Sequence, residues 1–223
     1  MLTTPRAVFF DVDGVLVDSL PQHLKICHDK AIEFGLRLKI PTVDEFRQLV
    51  RRGTKVSPML YFFLAVGFPE DCARRAVLDY EREFMQRYRP NVFPGLNKMV
   101  TTLHSAGYRL GIVTSNTRAN VVPALGDAMH YFEESCLFFF DRYSEPKAKS
   151  WALAEGARLL GLAPQACVYV GDQPADATAA REAGVRFLGV TYGWGISEDD
   201  KQYETAKSIT EIPHKLMGFP ALV

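Results

Sequence analysis

The sequence is short of several things, and each shortage excludes a class of function. No apolar run approaches the ~18 residues that a membrane-spanning helix needs. At the amino terminus Pro5, Arg6 and Asp11 interrupt any stretch of signal-peptide type. Long basic runs are missing too, and 26 basic residues face 26 acidic ones, so the electrostatic footprint of a nucleic-acid or anionic-membrane binder is absent. The cysteines, Cys27, Cys72, Cys136 and Cys167, are far apart, without a C-x-x-C pair or a neighbouring His cluster of zinc-site spacing, and they read as reduced thiols used in packing. There is no internal repeat and no low-complexity segment. A soluble, cytoplasmic protein is expected, with no nucleic-acid or membrane partner, as a monomer or a homodimer.

What is present is an α/β pattern. The 223 residues suit one large domain, or a domain with a lid. Short apolar runs at 7–10, 109–113, 137–140, 167–170 and 187–190 read as strands, and after residue 90 they alternate with helical periodicity. Residues 20–89 carry helical signals only. Leu24, Ala31 and Phe34 share one face, with Gly35 as a stop. Thr42 and Glu45 are spaced as a capping box, and Ser57-Pro58 reads as an N-cap with proline at the first helical position. Gly67 closes that helix, and Ala73, Val77, Tyr80, Phe84 and Tyr88 recur at helical spacing. The chain is therefore expected to form a doubly wound parallel sheet from 1–19 and 90–223, with an all-helical cap inserted at 20–89 and a hinge near Pro94-Gly95. The stretch from Asp199 onward is expected to be a peripheral helix and tail.

The chemistry gathers at strand ends. Asp11 and Asp13 close the first apolar run, one residue apart, and Gly14 after them permits a sharp turn or a close approach to a ligand. Thr114, Ser115 and Asn116 follow the second run, Lys147 the third, and Asp172 with Asp176 the fourth. Each has an ordinary reading as a helix cap, a solvated lysine or a first-turn acid. A parallel sheet nevertheless brings all four to one edge, where open α/β folds bind ligands. Together they describe phosphoryl transfer. Thr114, Ser115 and Lys147 would hold phosphate oxygens, and Asp11 and Asp172 would share a divalent cation, for which Mg2+ is suited by its preference for a few hard oxygens. One of the paired acids would attack phosphorus and the other would protonate the leaving alkoxide.

In this order the motifs Asp-x-Asp-Gly-x-Leu-x-Asp-Ser at 11–19, Thr-Ser-Asn at 114–116, Lys147 and Gly-Asp-x-x-x-Asp at 171–176 resemble those of the haloacid dehalogenase (HAD) superfamily of phosphatases. Residues 190–195, Val-Thr-Tyr-Gly-Trp-Gly, resemble the strand and loop after the last motif in phosphoglycolate phosphatase-like members. The resemblance covers essentially the whole chain. It implies a Rossmann-like HAD core and Asp11 as nucleophile, with Asp13 as acid/base. It also implies Mg2+ held by Asp11, the backbone carbonyl of Asp13 and Asp172, with Asp176 in support. Lys147, Thr114, Ser115 and Asn116 would hold the phosphate. Lys147 is preferred to Lys149 because its distance to Gly171-Asp172 matches the family's spacing, although Lys-Ala-Lys-Ser replaces the usual Lys-Pro-x-Pro.

An acid at Asp13 separates phosphate-ester chemistry from the dehalogenases of the superfamily, which lack it. The leading expectation is a phosphatase for a small, phosphoglycolate-like metabolite, acting through an aspartyl-phosphate. A β-phosphoglucomutase-like enzyme is the alternative. Outside enzymes, the alternatives are a receiver-type phosphoacceptor and a non-catalytic binding protein on the same fold. Arg51 and Arg52, beside Gly53 and near Lys55, are candidates to reach the substrate from the lid, against the equal alternative of a solvated basic turn. His23 is a weaker candidate, and Trp194 reads as packing.

Overall fold

The computed structural model describes residues 6–142 and 149–218. Strand β1 (Ala7–Phe10) runs into a short β2 (Val17–Asp18). Four helices follow, α1 (Leu20–Glu33), α2 (Val43–Arg51), α3 (Met59–Val66) and α4 (Glu70–Arg87), before β3 (Asn91–Val92). The remainder alternates: α5 (Leu96–Ser105), β4 (Arg109–Val113), α6 (Arg118–Leu125), β5 (Phe132–Phe138), α7 (Lys149–Leu159), β6 (Cys167–Gly171), α8 (Pro174–Glu182), β7 (Arg186–Val190), β8 (Thr205–Ala206) and α9 (Ile212–Met217).

Six strands form one sheet in the order β5-β4-β1-β6-β7-β8, every pairing parallel. The chain builds outward from β1 on one side and then crosses to the other, so β1 stands where the strand order reverses. That switch point is where a doubly wound sheet opens a crevice beyond its carboxyl ends.

Alternation along β1 divides the core. Val8 and Phe10 face α5 and α9 through Met99, Val100 and Leu216, while Ala7 and Phe9 face α7 and α8 through Leu153 and Ala180. Full burial of each large apolar side chain contributes roughly 1.5–3 kcal/mol. A Cβ on Gly156 of α7 would stand 2.6 Å from the Phe9 ring, so only glycine lets α7 lie this close to β1. That contact brings the first residue of α7, Lys149, to the carboxyl edge of the sheet.

The four helices α1–α4 have a core of their own, with Phe46, Phe62, Phe63, Tyr80 and Phe84 at its centre and Trp194 of the sheet domain packed into it. Strands β2 and β3, where the chain leaves the sheet and returns, pair antiparallel. The capping box at Thr42 is formed in both directions. At α3 the boundary differs by one residue, Pro58 being the N-cap and Met59 the first helical residue.

Two strand readings are corrected. The run at 137–140 is the end of a longer strand, Phe132–Phe138, and Phe140 begins a 3-10 turn. As an edge strand it tolerates half-exposed and exposed Glu133, Glu134 and Ser135, which hides its first half from an apolar-run reading. In the carboxyl-terminal stretch, β8 extends the sheet beside β7, too short to show a period of two. Among the described residues no helix is long and apolar enough to cross a membrane.

Candidate active site

The loop after β1 is wound tightly. The amides of Val15, Leu16 and Val17 all donate to Val12 O, and Gly14 N donates to Val17 O. Gly14 has φ +78, and a Cβ there would lie 2.2 Å from Asp172 Oδ2. Glycine is therefore required on both grounds, backbone conformation and contact. The turn sends the two acids in different directions. Asp11 is buried, its Oδ1 accepting from Val12 N at 2.8 Å and its Oδ2 from Lys149 Nζ at 2.6 Å. Asp13 is half-buried, and its Oδ2 accepts from Asn116 Nδ2 at 2.8 Å.

Beyond β6, Asp172 is fully buried. Its Oδ2 accepts from Trp194 N at 2.6 Å, and its main-chain carbonyl accepts from the amides of Gly195 and Ile196. Its other carboxylate oxygen, Oδ1, has no partner. Asp176, on the first turn of α8, accepts from the amides of Asp172 and Gln173 through Oδ2 and from Lys149 Nζ at 2.8 Å through Oδ1. Oxygens of Asp11, Asp172 and Asp176 lie within 4.8 Å of one another.

Three buried carboxylates repel. Burial, the neighbouring Asp176 and Asp11 all hold the Asp172 carboxyl well above the usual carboxylate range. Burial pushes Asp11 up to about 6 despite the opposing ammonium of Lys149. A buried anion with an unpartnered oxygen, in a cluster that one lysine only partly neutralises, fits a hard divalent cation. Asp11 and Asp172 are the residues that would hold it, with Asp176 orienting the loop behind them.

Thr114 and Asn116 are buried and Ser115 is half-exposed at the end of β4. Thr114 Oγ1 accepts from Asn116 N. Asn116 Oδ1 accepts from Thr117 N at 2.8 Å, Asn120 Nδ2 at 3.1 Å and the Tyr80 hydroxyl at 3.4 Å, which turns its amide nitrogen toward Asp13. Tyr80 comes from α4, so the helical insertion reaches the site through this amide. His23 Nε2 lies 3.1 Å from the Tyr80 hydroxyl, and its ring is enclosed by Phe62, Phe84 and Trp194.

These groups line a cavity of about 260 Å³ between sheet edge and insertion, with Asp11, Asp13, Thr114, Ser115 and Asn116 on the sheet side and His23 and Tyr80 on the other. Lys147 lies outside the described residues, and among those described the lysine that meets the acids is Lys149, on the first turn of α7. Arg51 and Arg52 are exposed at the end of α2 and are not on the cavity lining, and Lys55 lies over the Tyr61 ring at 3.6 Å. The cation of α2 that does reach the sheet domain is Arg47, which donates to Gly193 O at 3.0 Å and Tyr192 O at 3.1 Å. A signal for it was available. Arg47 shares a helical stripe with buried Phe46 and Val50, an unusual position for a charge without a partner.

Comparison with known proteins gives the family and the fold. The family model for haloacid dehalogenase-like hydrolases matches residues 5–184. A phosphoglycolate phosphatase of Xylella fastidiosa is 33% identical, covering 95% of this chain and 91% of its own. An N-acetylmuramic acid 6-phosphate phosphatase of Pseudomonas aeruginosa is 27% identical, covering 95% and 93%. A haloacid dehalogenase-like family hydrolase of Streptococcus pneumoniae, 24% identical, superposes with a TM-score of 0.75 over 94% of this chain and 97% of its own, which supports the fold.

Proposed function

The chain belongs to the haloacid dehalogenase-like hydrolase family, and on that premise we propose that it is a phosphatase hydrolysing small phosphate monoesters through an aspartyl-phosphate on Asp11. The observation that carries the reading is the meeting of Asp11, Asp172, Asp176 and Lys149, with Asp11 on the lining of a cavity whose opposite wall is helical.

Asp11 is the nucleophile, its Oδ1 fixed by Val12 N and its Oδ2 by Lys149, so the attacking carboxylate is held in one orientation. Bound Mg2+ supplies charge neutralisation for the carboxylates and for the phosphoryl oxygens. Asp11 and Asp172 would hold it, and the family resemblance adds the main-chain carbonyl of Asp13. Thr114, Ser115 and the Lys149 ammonium steady the transferring phosphoryl group. Asp13, positioned by Asn116, donates its proton to the leaving alkoxide and afterwards takes one from the water that hydrolyses the phosphoenzyme. The insertion at 20–89 acts as a lid that excludes bulk water, tied down by Arg47 and by the Tyr80–Asn116 hydrogen bond.

The resemblance to the phosphoglycolate phosphatase of Xylella makes 2-phosphoglycolate the first substrate to assay. The test is release of inorganic phosphate from a panel of small phosphate monoesters. Turnover is expected with Mg2+, is lost on chelation and returns on adding Mg2+. Turnover indifferent to chelator contradicts the reading.

A further inference from the structure

The cavity wall says what kind of alcohol carries the phosphate. On the insertion side it is built from Val56, Pro58, Met59, Leu60, Phe62 and Val77. From the sheet side Phe140 and Trp194 continue the apolar surface. No lysine or arginine is among the described lining residues, and the charged lid residue on that lining is a carboxylate, Glu81. The nearby cations of the insertion are engaged or turned out: Arg47 on Tyr192 and Gly193, Lys55 over Tyr61, Arg51 and Arg52 in solvent. Among the described lining residues a glycolate carboxylate entering this space would find no cation and would meet Glu81, a combination that disfavours binding.

Three buried polar atoms of the described lining residues are unsatisfied, one of them Thr117 Oγ1. Trp194 Nε1 and His23 Nδ1 are buried without hydrogen-bond partners, on rings whose centroids are 5.5 Å apart. Because the Tyr80 hydroxyl donates to Asn116, His23 Nε2 is the donor to Tyr80, and Nδ1 is left as an unprotonated acceptor. The pair thus offers one N–H donor and one acceptor, the complement of an alcohol hydroxyl.

We infer that the enzyme selects phosphate monoesters of an uncharged alcohol that bears a further hydroxyl and an apolar face, and discriminates against carboxylate-bearing esters such as 2-phosphoglycolate. This inference rests on the phosphatase reading.

The test is a comparison of kcat/KM for 2-phosphoglycolate, 2-hydroxyethyl phosphate, in which CH2OH replaces the carboxylate, and benzyl phosphate, with p-nitrophenyl phosphate as a reference. Both uncharged esters are expected to exceed 2-phosphoglycolate by at least about tenfold. Glu81→Lys is expected to narrow that gap about tenfold by raising turnover of 2-phosphoglycolate. Trp194→Phe, which keeps the ring and the main-chain amide bound to Asp172, is expected to lower 2-hydroxyethyl phosphate relative to benzyl phosphate. Equal or reversed preference in the native enzyme, or ratios that neither variant moves, overturns the inference and leaves the phosphatase reading standing. If no ester, the reference included, releases phosphate, the phosphatase reading fails and the inference with it.

Discussion

Lys149 Nζ stands 2.6 Å from Asp11 Oδ2 and joins the end of β1 to the start of α7. The same ammonium is 2.8 Å from Asp176, so one side chain, 15% exposed, partly neutralises two buried acids. Replacing it with alanine removes the positive partner of the nucleophile and a donor to the phosphoryl group. Lys149→Ala is expected to lower kcat/KM on order of 10²-fold or more, with Lys149→Arg recovering part of the loss. Steady-state kinetics beside far-UV circular dichroism checks this, and a loss under about threefold in a folded variant would contradict it.

Asp13 is held by a single side-chain amide, from Asn116. Its role as proton donor has a signature that a merely structural acid lacks. Asp13→Asn is expected to cost roughly 10²–10⁴ on an alkyl phosphate and much less on p-nitrophenyl phosphate, whose leaving group needs no proton. Equal losses on both substrates would remove the acid/base assignment.

The buried Asp172 carboxylate connects cation binding to stability. Without a cation, burial and the neighbouring Asp176 and Asp11 disfavour its charge. Asparagine at that position relieves the repulsion. Asp172→Asn is therefore expected to melt at the same temperature as the metal-free native protein or higher. Mg2+ at about 100 times its dissociation constant stabilises the native protein by about 2.7 kcal/mol. The variant should show no such gain. Differential scanning calorimetry with and without Mg2+ separates these outcomes, and a Mg2+ shift retained in the variant would contradict Asp172 as a ligand.

His23 makes the helical insertion sensitive to acid. Burial holds its imidazole down to about 4 in the folded protein, against about 6.5 in the unfolded chain. Between those values the unfolded state binds more protons, so this group's contribution falls as pH drops from about 6.5 to about 4 and is flat below. The full effect is roughly 3 kcal/mol. Asp11, raised to about 6 in the metal-free protein, acts in the opposite direction between about 6 and 3.8. The two are separated by the difference in urea-unfolding free energy between native protein and His23→Gln across this range. That difference should change with pH as His23 titrates, and a pH-independent difference would contradict the burial effect.

Much of this was legible in the sequence because it is local. A run of β-formers ending in Asp11 and Asp13 requires only a strand and a turn, and 20–89 shows helical period with no strand pattern; α1–α4 lie within it. The sheet-edge placement of Thr114 and Asp172 followed from parallel topology alone. What was not legible depended on packing. Counting along the chain does not single out Lys149, and Lys147 lies outside the described residues. Lys149 reaches them because Gly156 lets α7 lie against Phe9. Arg51 and Arg52 stand at a break between helices, where either a solvated turn or a reach to substrate is open to them, and both are exposed and not on the cavity lining. Arg47, one turn earlier and inside the buried stripe, makes the contact with the sheet domain. The unpartnered atoms of Asp172, His23 and Trp194 are properties of surroundings assembled from distant segments, and no motif carries them.

Asp11 is expected to become phosphorylated during turnover. Native protein with Mg2+ and a reactive phosphate ester, quenched in acid during turnover and digested at low pH, should yield the peptide containing Asp11 with the added mass of one phosphoryl group, and the Asp11→Asn variant should yield neither adduct nor turnover. An adduct on another residue, or sustained turnover by Asp11→Asn, would contradict the account.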